Sequence, residues 1–174
     1  DVNGVLTITA GTLDVSTTNY GITVGGNWSN AGTFTARSGT VTFDATDTDN
    51  TINPGSSSFY RLTFNGSGGA WDATTNNVTV TNALTITAGT FDLNGQNLTA
   101  TGATFSNSGT LRMQGAETLT GLTMDTDSGT IAYDGTTSYT GLIAGNNYFN
   151  LTFDGTGGVW DLTGNATVTN ALTI

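Results

Sequence analysis

The sequence predicts an all-β protein: a right-handed parallel β-helix, or β-solenoid, with about three short strands in each turn. Three observations lead to this fold class. The composition favours strands and tight turns, apolar and polar residues alternate in short pairs, and these pairs begin about seven residues apart. We therefore expect residues 1–174 to form one β-solenoid segment. Turns of roughly 20 residues would stack on one another, as in other β-helices.

The composition supports strands joined by tight corners. Thr supplies 39 residues and Gly 25, whereas Lys, His and Cys are absent and the only Glu is Glu117. Thr packs well on a pleated surface, and Gly and Asn adopt the backbone conformations that tight turns need. A net charge of −10 with only three basic residues makes nucleic-acid binding unfavourable. Without cysteine there is neither a disulfide framework nor thiolate chemistry.

Apolar residues recur in pairs with a period of two, which is typical of strands. The clearest run is "LTITAGTFDLNGQNLTATGATFSNSGTLRM", which begins at Leu84. Its inward-facing residues are predicted to be Leu84/Ile86, Phe91/Leu93, Leu98/Ala100, Phe105 and Leu111/Met113. Corners of one to three residues, rich in Gly, Asn and Asp, separate the pairs. Strands this short and this closely spaced favour a coil over a β-sandwich, which remains the alternative fold.

A longer repeat spans several of these strands. "FYRLTFNGSGGAWD" at 59–72 returns as "YFNLTFDGTGGVWD" at 148–161. Leu6, Leu84 and Leu172 mark successive starts, which predicts repeat units at 6–83 and 84–171 and the start of a third at 172–174. Residues 109–128 have no counterpart in the first unit and are about one turn long. The gain of a whole turn is compatible with a solenoid.

With these repeats in view, the chain resembles the β-strand repeat regions of giant bacterial surface proteins. It is more distantly similar to the parallel β-helix of filamentous-haemagglutinin-type adhesins. The resemblance covers nearly the whole chain and implies a secreted, elongated structural or adhesive segment. It brings no catalytic residue with it. The predicted right-handedness follows from this resemblance and from the usual hand of parallel crossovers.

We therefore expect an extracellular structural segment that forms a fibre, filament or stalk of a bacterial surface. The sequence opens on "VLTI" and closes on "ALTI", neither of which resembles a solenoid cap. This pattern favours end-to-end self-association or continuation in a longer chain, and no membrane span is expected. The alternative is an adhesin or carbohydrate-binding module that uses loops 44–58 and 134–147 to contact a surface polysaccharide.

Two kinds of binding residue are candidates. Trp71-Asp72 and Trp160-Asp161 combine an aromatic ring with a carboxylate, as sugar sites do, although their recurrence at the repeat period favours a packing role. Asp44, Asp47 and Asp49 in "DATDTDN" are the best candidates for a Ca²⁺ site. That run lacks the Gly and the distal Glu of an EF-hand loop, so the alternative is an acidic loop that keeps the rod soluble. No other cofactor is expected.

Catalysis is not predicted. The chain has no His, Lys or Cys to act as a base or nucleophile, and no pair of aspartates stands out in the sequence. The frequent Thr-x-Thr pattern is found in ice-binding solenoids, but its irregular spacing here favours Thr as an ordinary outward-facing strand residue.

Overall fold

The computed structural model describes all 174 residues, Asp1–Ile174, and consists of strands and turns without a helix. It follows that no helix could cross a membrane. The strands are β1 Leu6–Ile8, β2 Thr12–Asp14, β3 Ile22–Val24, β4 Trp28–Asn30, β5 Thr33–Thr35, β6 Thr40–Phe43, β7 Asn50–Asn53, β8 Phe59–Ala73, β9 Val78–Asp92, β10 Leu98–Thr99, β11 Thr104–Asn107, β12 Thr110–Met113, β13 Leu119–Thr120, β14 Thr130–Tyr133, β15 Ser138–Thr140, β16 Asn147–Phe153, β17 Val159–Asp161 and β18 Thr167–Thr173.

All the strand pairings are parallel. Paired strands lie about one turn apart along the chain, and together the strands form a β-solenoid of about 8 turns. The predicted parallel β-helix is therefore confirmed. The antiparallel sandwich is wrong, because its hairpins would need neighbouring strands that run in opposite directions.

Three ladders of stacked residues define the faces of the coil. Face 1 contains the ladder Ile22–Val41–Leu62–Leu84–Phe105. Face 2 contains Trp71–Phe91–Leu111–Ile131–Leu151–Leu172. Face 3 contains Val78–Leu98–Leu119. Within each of these ladders, an apolar residue lies on an apolar residue of the next turn, so apolar columns run through several turns.

The predicted inward residues form the core. Leu84, Ile86, Phe91, Leu98 and Leu111 are all fully buried. Of the residues predicted to point inward, Phe105 is the one that is only partly buried. The largest rings stack between turns, with Phe64 lying 5.5 Å from Phe43 and 4.5 Å from Phe91 between ring centroids. Burial of each such side chain stabilises the folded chain by roughly 1.5–3 kcal/mol.

Strands β8 and β9 are longer than the sequence predicts. Each has 15 residues and continues from one face to the next, where separate short strands were expected. The pairing between them shifts register between Phe64 and Asn65 and again between Asn65 and Ala70. These irregularities bend the strands at the corner without ending the pairing, so the "GSGG" corner lies inside β8.

The long sequence repeat does not return to the same face. Leu62 stacks on Leu84 in face 1, whereas its sequence counterpart Leu151 stacks on Leu172 in face 2. The second copy of the repeat therefore lies several whole turns further along the coil than the first copy, and it is also shifted by one face. The extra stretch 109–128 occupies one turn, since Thr110 pairs with Thr90 on one side and with Thr130 on the other. The unit boundaries 6–83 and 84–171 stay a prediction.

Candidate functional site

The C-terminal end of the coil is an open apolar surface. It surrounds a cavity of about 450 Å³. We call it the C-terminal apolar surface, and it consists of Leu151, Phe153, Gly158, Trp160, Leu162, Ala166, Val168, Leu172 and Ile174. Leu172 is 56% exposed and Ile174 is 93% exposed. Face 2 ends here at Leu172, so β18 pairs with β16 on one side and presents an unpaired edge on the other.

The N-terminal end has an opening of the same kind. Leu6, Ile8 and Leu13 line a concave surface of about 470 Å³ together with threonines. Val5 beside it is 59% exposed. Strand β1 pairs only with β4, so this end also has an unpaired edge. Both ends therefore combine apolar side chains with free backbone hydrogen-bonding groups, the combination that another strand would cover.

Trp71, one of the predicted sugar-binding residues, belongs to the core. Its side chain is fully buried, and its ring centroid lies 5.3 Å from that of Phe64 and 6.2 Å from that of Phe43. A sugar would need a free ring face, so this burial does not support the sugar-binding prediction at Trp71. The neighbouring Asp72 is partly buried on the outer side of the strand, and desolvation raises its pKa.

Trp160 is partly exposed and is part of the C-terminal apolar surface. Its indole stacks on Tyr139 with 5.6 Å between centroids and an interplanar angle of 16°, and Nε1 donates to the Gln114 carbonyl at 3.2 Å. Asp161 is exposed. Trp71 pairs with Phe91 and Trp160 with Tyr139, so the two Trp-Asp sequences lie in different ladders and form no common site.

The candidate calcium ligands Asp44, Asp47 and Asp49 are exposed. Asp47 Oδ1 accepts a hydrogen bond from Asn50 Nδ2 at 2.6 Å, which fixes the loop from within. The chain contains no group of three or more acidic, histidine or cysteine side chains arranged to hold a metal ion. The calcium prediction thus has no supporting geometry.

The two predicted adhesive loops are partly strand. Residues 44–58 include β7, and residues 134–147 include β15. Ile52 in the first stretch is fully buried, and Leu142 and Ala144 in the second are nearly so. Only the remaining parts of these stretches are free to contact a partner.

A second surface, which the sequence analysis did not find, lies on the outer side of face 2. Asp72, Asp92 and Arg112 are successive members of one ladder. They line an open cavity of about 710 Å³ together with Thr90 and Thr110, and we call this the polar groove. The three charged residues are 20 positions apart, so comparing the sequence with itself at one-turn spacing would have revealed them.

The polar groove holds an unusual carboxylate. Asp92 is only 8% exposed, and its Oδ1 accepts the Asn94 N–H at 2.7 Å. Burial, reinforced by the charge of Asp134, raises the pKa of Asp92 to about 7. The pKa of Asp134 is itself raised by burial. The positive charge of Arg112 partly counteracts the rise in the pKa of Asp92. The Nη2 atom of Arg112 also forms an ion pair with Asp154 Oδ2 at 3.1 Å.

The site geometry therefore offers two kinds of chemistry. The end surfaces can bury the apolar side chains of a partner and pair with its strands. The polar groove can form hydrogen bonds and ion pairs with a hydrophilic ligand. Comparison of the chain with protein-family models, with curated proteins and with solved structures found no match. The functional conclusion rests on these surfaces and on the fold.

Proposed function

We propose that the chain is an extracellular structural β-solenoid segment of a bacterial surface fibre, filament or stalk, without catalytic activity, and that its ends are covered by further solenoid turns. The observation that carries this proposal is the C-terminal apolar surface. The resemblance to bacterial surface repeats supports the extracellular location.

Covering the C-terminal apolar surface is energetically favourable for two reasons. Leu162, Leu172 and Ile174 are more than half exposed, and burying such a side chain contributes roughly 1.5–3 kcal/mol. The free edge of β18 can also pair in parallel with an added strand, as in β-strand addition. A parallel strand placed there would continue the ladders that already run through the molecule.

Charge favours growth along the axis over sideways contact. None of the nine residues of the C-terminal apolar surface is charged. The net charge of −10 therefore lies outside this surface. Two rods side by side repel each other, whereas two ends bring apolar surfaces together.

The test uses the 174-residue segment in sedimentation velocity and negative-stain electron microscopy. Its apolar ends are exposed whether the natural partner is a second copy or a continuing chain. We expect concentration-dependent rods longer than one segment. Leu172→Asp should shift them to single segments, because it places a charge in the joint, and Ser67→Asp at an exposed corner should not. Single segments at every concentration would overturn the proposal.

The alternative function is an adhesin or carbohydrate-binding module. Its support is the stacked Tyr139–Trp160 pair, since Trp160 is partly exposed and Tyr139 lies within the stretch 134–147. A glycan array tests it with the wild-type chain and Trp160→Phe, which keeps an apolar ring in place. Specific binding that this variant loses would support adhesion. Without specific binding, the structural proposal stands alone.

A further inference from the structure

The polar groove is built by residues that repeat from turn to turn. Thr90, Thr110 and Thr130 stack in one ladder, and Asp72, Asp92 and Arg112 stack in another. All six line the same cavity of about 710 Å³. Successive turns are about 4.8 Å apart, so hydroxyl and charged groups recur at that spacing along the rod. A hydroxyl-rich chain lying parallel to the axis would meet a threonine hydroxyl at each step, whereas the charged ladder changes from aspartate at Asp72 and Asp92 to arginine at Arg112.

Polar atoms in the groove lack protein partners. Only 8% of the surface of Asp92 is exposed. Its Oδ1 accepts one hydrogen bond, and its Oδ2 has no hydrogen-bond partner in the protein. Arg112 Nε also has no partner, but it is enclosed by protein and cannot be reached by a ligand in the groove. Asp92 lines the groove, so a ligand that donates a hydrogen bond to its unpaired Oδ2 would be held there.

The sign of the charge selects the ligand. Asp72 and Asp92 face the groove with Arg112, and Asp134 and Asp154 lie around that arginine. Four carboxyl groups thus surround one guanidinium, which is already paired with Asp154. The carboxylates would repel an acidic saccharide, and a neutral saccharide would bring no positive charge to pair with them. A protonated amine would balance it.

We infer that the polar groove binds an oligosaccharide with free amino groups, of the glucosamine type. Its ammonium group lies between the carboxyl groups of Asp72 and Asp92. Its hydroxyls bond to the hydroxyl groups of Thr90, Thr110 and Thr130. The ammonium favours the charged form of Asp92 and so lowers the pKa of that carboxyl, which releases a proton on binding at neutral pH. This inference is independent of how the ends of the rod are joined.

The test is isothermal titration of the whole chain with a glucosamine tetrasaccharide and with its N-acetylated form, at a pH where the free amine is protonated. We expect the free amine to bind, and acetylation to weaken binding about tenfold or more, because it removes the charge. Asp92→Asn should cause a loss of similar size. Asn preserves the shape and removes a buried charge, so this variant should keep the native circular dichroism spectrum.

Asp1→Asn is the matched control, because it removes the same charge from an exposed site outside the polar groove. It should leave the affinity unchanged. Thr110→Val, which removes only a hydroxyl, should weaken binding several-fold. No binding, equal binding of the acetylated sugar, or equal weakening by Asp1→Asn and Asp92→Asn would each overturn the inference. The last result would show only a general attraction of a polycation to an acidic rod.

Discussion

At the scale of single residues, the two buried carboxylates have opposite environments. Glu117 is 4% exposed, yet its oxygens accept three backbone N–H groups: Oε1 from Gln114 at 2.7 Å and Gly95 at 3.1 Å, and Oε2 from Gly115 at 2.7 Å. Asp92 has a comparable burial and accepts one such bond. Glu117 therefore stabilises a corner through three hydrogen bonds, whereas burial raises the pKa of Asp92 to about 7.

Glu117→Gln should destabilise the fold. Gln keeps one carbonyl oxygen but turns an NH₂ group toward backbone N–H donors, which leaves at least one of them unpaired. We expect the free energy of unfolding to fall by about 1–3 kcal/mol in a denaturant titration. Asp161→Asn, the same chemical change at an exposed site, should alter it by less than about 0.5 kcal/mol. Equal effects would show that the three N–H contacts contribute nothing special.

Asp92 should make stability depend on pH. Its pKa of about 7 in the folded chain lies above the unfolded value of about 3.9, so the folded state binds the proton more tightly. The contribution to the free energy of unfolding is complete below the unfolded pKa. It decreases as pH rises and is lost above about pH 7. Asp72, Asp134 and Arg112, which act on Asp92, shape the same transition.

Denaturant titrations between pH 4 and 8 measure this effect. In Asp92→Asn the decrease should be strongly reduced, because the amide does not ionise, and the variant should be more stable than wild type at the high-pH end. The dependence of stability on pH that remains in Asp92→Asn comes from Asp72 and Asp134, because burial also raises the pKa of each. Identical slopes in the two proteins would show that Asp92 is equally easy to ionise in the folded and unfolded chains.

At the scale of elements, the corners limit which residues the coil accepts. Gly89 has a φ of +82°, and a Cβ added there would lie 2.5 Å from the Gly66 carbonyl oxygen and 2.6 Å from that of Gly69. The backbone of one corner thus rests directly on the corner of the previous turn. Gly102 has a similar φ of +76° but no atom within 4 Å of an added Cβ.

Gly89→Ala and Gly102→Ala should therefore differ. Both pay about 1–2 kcal/mol for a side chain in the left-handed conformation. Only Gly89→Ala also forces stacked corners apart, which adds roughly 1–3 kcal/mol. Thermal unfolding of the two variants should show the lower midpoint for Gly89→Ala. Equal midpoints would show that the corner can open without cost.

The fold could be predicted from the sequence wherever local pattern decides the structure. Alternation identifies the inward side of each strand, so Leu84, Ile86 and Leu98 could be placed in the core. It could not find the bend inside β8, which depends on pairing with β9. Nor could it see that Trp71 is enclosed by Phe43 and Phe64 from other turns. The polar groove was missed for the same reason, because Asp72 and Asp92 become neighbours only when the register between turns is known.

At the scale of the whole molecule, each turn contacts chiefly the turns above and below it. Stability is then close to a sum of turn and interface contributions, and it need not be uniform along the axis. The middle turns contain Phe64, Trp71 and Phe91, all fully buried. The last strand, β18, is largely exposed and has a partner on one side only. The end of the rod should open far more readily than its middle.

Hydrogen exchange followed by mass spectrometry tests this gradient. At low protein concentration, amides of β9 should exchange slowest and those of β18 fastest, since opening β18 exposes few buried side chains. Raising the concentration should protect β18, because end-to-end contact pairs its free edge, and should leave β9 unchanged. Leu172→Asp should remove that concentration dependence. If β18 and β9 exchange equally slowly in dilute solution, the coil unfolds as one cooperative unit, and its ends are closed by contacts other than strand pairing.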